Sequence, residues 1–168
     1  GGLVLIDEIE QGLEPDRVQN LVNVLMKNNK GQVFITTHSR DVLVEVSSDK
    51  LYLVRKQEKS PLRFPLSMQG VCRKNPEAFF ARKVVVAEGA TEIGICRALH
   101  EYRLRHGKRN MAYLGIRIAD GSGSEMIEYV KSFHAAKFPV CLFCDSDADN
   151  QDKKKDFANR KQALRSEK

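Results

Sequence analysis

Acidic residues stand at the ends of apolar runs in this chain, and their spacing is what could do chemistry. "LVLIDE" closes on Asp7 and Glu8, and "FITTHS" follows about thirty residues later with His38. A buried strand delivers such residues to its carboxyl end, where open α/β sheets bind ligands. There Asp7 could hold Mg²⁺ through water, Glu8 could orient or deprotonate an attacking water, and His38 could hydrogen-bond a γ-phosphate. Further on, "VVVAEGATE" places Glu88 at a strand end, with Glu92 one turn beyond. Asp120 ends "GIRIA", and Asp145 and Asp147 end "VCLFC", with Asp149 after them. If strand conformation persists through Asp147, the pair Asp145 and Asp147 share a face. Carboxylates that close repel unless a cation joins them, and an all-oxygen set suits Mg²⁺ or Mn²⁺. Two such ions could activate a water and stabilise the leaving oxygen in phosphodiester cleavage.

The elements that must position these residues alternate in type. Residues 3–6 read as a buried parallel strand, "PDRVQNLVNVLMKN" as a helix with Pro15 at its first position, and "QVFITTH" as a second strand. "SRDVLVEVS" suggests a short helix and "KLYLVRKQ" a third strand. Between Ser60 and Phe80 no period is evident, and the stretch reads as a connector with a short helix near "NPEAFFA". A second series follows: strand "KVVVAEG", helix "TEIGICRALHEYRLRHG", strand "MAYLGIRIAD", helix "SEMIEYVKSFHAA" and strand "FPVCLFCDSD". Strands alternating with helices imply parallel sheets, so both halves are expected to be α/β.

In this order the first motifs resemble the Walker B, D-loop and switch-histidine succession of ABC-type ATPases of the SMC and RecF-like branch. Asp7 then matches the Walker B aspartate, Glu8 the catalytic glutamate and His38 the switch histidine. The second set resembles a Toprim domain, with Glu88 as motif glutamate and Asp145 and Asp147 as the D-x-D pair. The two joined directly are similar to the overcoming-lysogenization-defect (OLD) family of ATP-dependent nucleases, which includes the Gabija phage-defence nuclease. That resemblance implies a partial ABC-type ATPase sheet over residues 1–58, a connector at 59–80, a Toprim domain with a Rossmann-like parallel sheet at 81–152 and a basic tail at 153–168. It implies divalent-metal cleavage of DNA as an endonuclease, with Glu8, Glu88, Asp145 and Asp147 catalytic and Asp7, Glu8 and His38 binding ATP. Glu92 and Asp120, which match further acids of OLD-type Toprim domains, join Glu88, Asp145 and Asp147 as metal ligands. Homo-oligomerisation through the ATPase domain and a helicase-like partner are implied as well. OLD nucleases also use a basic residue beyond the D-x-D; Lys153, Lys154 and Lys155 stand too close to the pair to be assigned that role.

No G-x-x-x-x-G-K-[ST] and no ABC signature segment occur in the 168 residues. The chain therefore reads as a fragment whose phosphate cradle lies upstream, and by itself it is expected not to hydrolyse ATP. At 42% hydrophobic it can bury one good core or two small ones. No run of about 18 apolar residues and no basic-then-apolar leader is present, so a cytoplasmic protein without membrane contact is expected. The net charge is +6, of which the tail "QDKKKDFANRKQALRSEK" supplies +4 from seven basic and three acidic residues. Such a balance accords with a nucleic-acid partner, although composition alone favours a solvated, helical or frayed tail.

Other chemistry is weaker. Cys141 and Cys144 form a C-x-x-C on a strand, where residues three apart face opposite sides and cannot share a metal; with Cys72 and Cys96 they are expected to be reduced thiols. His100, His106 and His134 read as surface or packing residues. The loop "GSGS" could approach a phosphate through its amides, but a tight turn with a Ser122–Glu125 capping box is the simpler expectation. Two functions compete with the nuclease: a non-catalytic DNA-binding or scaffolding module of a DNA repair complex, and a topoisomerase- or primase-like enzyme. The last ranks lowest because Tyr52, Tyr102, Tyr113 and Tyr129 all fall within expected elements.

Overall fold

The computed structural model describes residues 2–27, 31–56, 58–146, 158, 159 and 162. It is a mixed α/β fold with parallel sheets, as expected, and divides into two units, Gly1–Phe80 and Ala81–Lys168.

In the first unit β1 (Gly2–Ile6) and β2 (Gly31–Ile35) pair in parallel, from Gly2 opposite Gly31 to Ile6 opposite Ile35. Helix α1 (Pro15–Lys27) starts at its proline, whose missing N–H costs nothing there, while Arg17 and Val18 donate to the Glu14 carbonyl. Its apolar face, Val18 and Val22, packs with Ile9 and with Val42 of α2 (Arg40–Glu45) into a small core flanked by Ile6, Leu21, Leu25, Ile35 and Val46. Ser39 caps α2 by accepting the Asp41 amide, which satisfies one of the helix's unpaired donors. β1 was expected to be a buried strand and is not one. Leu3, Leu5 and Phe34 are 61%, 72% and 60% exposed, because the two-stranded sheet has helices packed on only part of its surface.

The predicted third strand shrinks to β3 (Tyr52–Leu53), which pairs antiparallel with β4 (Leu62–Arg63). The stretch expected to be a connector is instead packed structure. A 3-10 turn (Leu66–Met68), helix α3 (Gln69–Lys74) and a second 3-10 turn (Pro76–Phe80) bury Met68, Val71, Cys72, Ala78 and Phe79. Phe64 meets Phe79 edge-on at 5.2 Å. The periodicity was hidden because 3-10 turns and six-residue helices are too short to repeat a 3.6-residue pattern.

The second unit is one three-stranded parallel sheet in the order β6-β5-β7, with β5 (Lys83–Ala87) central, β6 (Ile116–Asp120) on one side and β7 (Val140–Phe143) on the other. Helix α4 (Ala90–Arg105) joins β5 to β6, and α5 (Met126–Ala135) joins β6 to β7. Val84 and Val86 of the central strand are buried, as are Met126, Val130 and Phe133 of α5. β6 is shorter than "MAYLGIRIAD" suggests. Residues 111–115 turn instead, with Gly115 at φ +69 and a side chain there blocked by Arg82 at 2.8 Å.

Burial also settles the cysteines. All four are free thiols, Cys72 and Cys96 buried and Cys141 exposed. Desolvation pushes the Cys72 thiol up to about 12, so no reactive thiolate forms there near neutral pH. Iodoacetamide at pH 8 is expected to label Cys141 in the native protein and leave Cys72 untouched, as read by peptide mass spectrometry. Labelling of Cys72 at the rate of Cys141 would contradict this packing.

Candidate functional site

In the second unit the parallel register brings three acidic residues to one edge of the sheet. Ala87 lies opposite Asp120 on one side and Phe143 on the other, so Glu88 leaves the sheet between the ends of β6 and β7. Its backbone is held on both sides: its N–H donates to the Phe143 carbonyl at 2.9 Å, and its carbonyl accepts from Gly123 at 2.8 Å. Its carboxylate Oε2 accepts the Asp145 amide at 3.2 Å, which ties two of the predicted site residues together. Gly121 makes the close passage possible. It donates to the Ala87 carbonyl at 2.7 Å, and a Cβ there would stand 2.6 Å from Met126 and 2.7 Å from that same carbonyl.

The remaining acids are also turned onto backbone amides. Glu92 is buried in the first turn of α4, and its Oε2 accepts the Gly89 amide at 3.1 Å, capping the helix. Asp120 is half-buried, and its Oδ1 accepts the Ser122 amide at 2.8 Å. Among the described residues no three His, Cys, Asp or Glu side chains lie close enough together to hold one ion. The strand-alternation argument for Asp145 and Asp147 does not apply. β7 ends at Phe143, where its last ladder bond to β5 is made, and Asp145 follows in irregular chain. Asp147, Asp149 and Lys153 to Lys155 lie outside the described residues.

The expected Ser122–Glu125 capping box does not form. Ser122 takes a left-handed conformation (φ +54) with no capping bond, and Glu125 accepts the Tyr129 hydroxyl at 2.7 Å. "GSGS" passes through Ser122 into a 3-10 turn (Gly123–Glu125), with Gly123 also left-handed at φ +62.

In the first unit Asp7 and Glu8 leave β1 beside Thr36, the residue after β2. The Thr36 hydroxyl donates to Asp7 and accepts the Glu8 amide at 2.9 Å. Glu8 adopts φ +48, a conformation that side chains rarely take and that here is held by the Thr36 bond. Exposed His38 lies two residues on, its ring 6.4 Å from that of Phe80. Sequence reasoning missed Glu10. Its carboxylate accepts the His38 amide at 2.6 Å and the Thr37 hydroxyl at 2.7 Å, so it fixes the backbone that carries His38. Burial opposes its charge, yet those hydrogen bonds and the nearby imidazole outweigh it and hold the carboxyl below its ordinary 4.5. The paired threonines of "ITTH" were the available signal, since hydroxyls following a strand tend to find acids on the neighbouring strand's exit.

Comparison with known families gives two matches. Residues 1–45 match the family described as AAA domain, putative AbiEii toxin, Type IV TA system. Residues 79–147 match the Overcoming lysogenization defect protein-like, TOPRIM domain. No curated protein matches the chain. An AAA-type match followed by a Toprim match gives the chain the make-up of the class of ATPase-plus-Toprim proteins. Within that class, the order of its two matches is the ATPase-plus-Toprim architecture of the OLD family. No helix among the described residues is long and apolar enough to cross a membrane.

Proposed function

We propose that the second unit is the cutting module of a divalent-metal-dependent DNA endonuclease, and that the first unit contributes Asp7, Glu8 and His38 to an ATP site. The observation that carries this reading is the link between Glu88 and Asp145 at the carboxyl edge of a parallel sheet. Glu88 and Asp145, which the structure links, offer oxygen donors whose chemistry fits Mg²⁺ or Mn²⁺. Glu88, Asp145 and Asp147 would hold the metal, with Glu92 and Asp120 around them. When bound, the metal neutralises charge on the attacked phosphate and lowers the pKa of a water.

The protein's own residues do the positioning. The bonds to Phe143 and Gly123 fix the Glu88 backbone, so its carboxylate projects from a rigid strand end. Glu92 holds Gly89 and thereby the start of α4. Gly121 lets the loop after β6 pass against β5 and keeps Asp120 at the same edge. In the first unit Thr36 and Glu10 hold the exits of β1 and β2 together, which keeps Asp7, Glu8 and His38 on one side. The biological setting we infer is DNA processing or phage defence, with ATP controlling or assembling the enzyme. Nicking of supercoiled plasmid in Mg²⁺ or Mn²⁺, and its disappearance in EDTA, tests the reading.

A further inference from the structure

A surface far from the carboxylates carries an unexplained concentration of charge. Residues 102–113, "YRLRHGKRNMAY", contain four Lys or Arg and no acid. They form the last turn of α4 and the loop that follows, and the loop is bound back onto the helix. The Lys108 amide donates to the Arg103 carbonyl at 2.9 Å, and the His106 amide to Tyr102 and Arg103 at 3.2 Å. The Met111 amide reaches His100 Nδ1 at 3.5 Å. The segment that carries Arg105, Lys108 and Arg109 is therefore a backbone-fixed platform, and all three side chains are exposed. The ion pairs seen among the described residues, Arg40 with Glu77 and Arg63 with Asp49, involve none of them.

Two exposed aromatic rings stand among these cations. Tyr102 is 60% and Tyr113 67% exposed. The Arg109 guanidinium lies 5.0 Å from the Tyr113 ring centre, and the Tyr102 ring lies 4.0 Å from that of His106. Cations at a helix C-terminus answer the helix dipole, which accounts for Arg103 and Arg105 in the last turn. The dipole falls off within that turn and does not account for Lys108 and Arg109 beyond it. A guanidinium lying over an aromatic face loses less freedom when it meets a phosphate.

We propose that this platform, Arg105, Lys108 and Arg109 with Tyr102 and Tyr113, binds the phosphate backbone of duplex DNA at a point remote from the carboxylate edge. α4 begins just after Glu88 and spans 16 residues, and at about 1.5 Å per residue its far end stands about 24 Å away. That distance corresponds to about seven base pairs of duplex at about 3.4 Å each. The platform thus holds a different stretch of DNA from the one at the carboxylates. Its role is to set where the duplex lies, and its contacts carry charge but no base information. The proposal rests on the reading that this unit acts on DNA.

The test compares the full chain with the triple variant Arg105→Ala/Lys108→Ala/Arg109→Ala. Binding to a 20-base-pair duplex is measured by fluorescence anisotropy in EDTA, between about 50 and 200 mM salt, so that no cutting enters the readout. Loss of three phosphate contacts is expected to weaken binding at least about tenfold and to flatten the log–log salt slope by about 2.7. A charge-conserving Arg105→Lys/Arg109→Lys variant should keep the wild-type slope. Its thermal melting, and that of the triple variant, should match wild type because the side chains are exposed. Equal affinity and slope in the triple variant would overturn the proposal while leaving the nuclease reading standing. So would a triple variant that keeps duplex binding but loses binding to an RNA hairpin or an acidic peptide. If the wild-type chain binds no duplex at all, the platform proposal falls, and plasmid cutting decides separately on the nuclease.

Discussion

Alanine at Glu88 or at Asp145 is expected to abolish metal-dependent nicking of plasmid DNA, with a loss of at least about a hundredfold, or about 2.7 kcal/mol of barrier. Each carboxylate helps to neutralise and place a divalent ion, and the charge so placed acts on the attacked phosphate. Glu88 also accepts the Asp145 amide, so its alanine variant could disturb the strand exit. Glu88→Gln separates the two effects, because it keeps an acceptor oxygen of the same reach and removes only the charge. The glutamine variant should be as inactive as the alanine variant and should melt at the wild-type temperature. DNA binding should persist in both or tighten, since negative charge near the phosphates has been removed. Asp147→Ala should lose more activity than Asp149→Ala. A Glu88→Gln protein that cuts plasmid at the wild-type rate would remove Glu88 from the chemistry, whereas a wild-type chain that binds duplex without ever nicking it would favour the scaffold reading.

Glu8→Gln is expected to leave ATP binding intact and to lower its hydrolysis at least about tenfold, about 1.4 kcal/mol, when these residues work together with a phosphate-binding loop. The substitution preserves size and the Thr36 bond to the residue's own amide, so the strand exit should be undisturbed. What is lost is the carboxylate that would orient the attacking water. Turnover by Glu8→Gln equal to wild type, measured as phosphate release at saturating ATP, would remove Glu8 from the chemistry. Its left-handed backbone would then need a different explanation.

Long elements were legible in the sequence because their periods had room to repeat. α1, α4 and α5 run 13, 16 and 10 residues, and the β5, β6 and β7 runs are apolar and bounded by turn residues. The acids at their ends could be read for the same reason, since an apolar run that stops at a carboxylate marks a strand exit. The packed segment from Leu62 to Phe80 was not legible. Its 3-10 turns and two-residue strand hold buried Phe64, Met68 and Phe79 at irregular intervals that match no template.

Orientation was less legible than position. The sequence placed Glu88, Glu92 and Asp120 at the sheet edge, but it could not say that backbone amides at Asp145, Gly89 and Ser122 would occupy their oxygens. Such bonds depend on the loop conformations, above all the left-handed Ser122 and Gly123. Glu10 escaped notice for a related reason: its partners lie 27 and 28 residues away, on the exit of the other strand. The platform was hidden because its charges are divided between the last turn of α4 and the loop beyond it, so no single period covers them.

Mn²⁺ binding followed by electron paramagnetic resonance tests, without requiring turnover, whether the edge formed by β5, β6 and β7 is a divalent-cation site. Titrating Mn²⁺ into the wild-type chain should depress the free-ion signal, and the same titration of Glu88→Gln should leave that signal at its buffer value. Retention of Mn²⁺ by Glu88→Gln with wild-type affinity and stoichiometry would contradict a cation site built on Glu88.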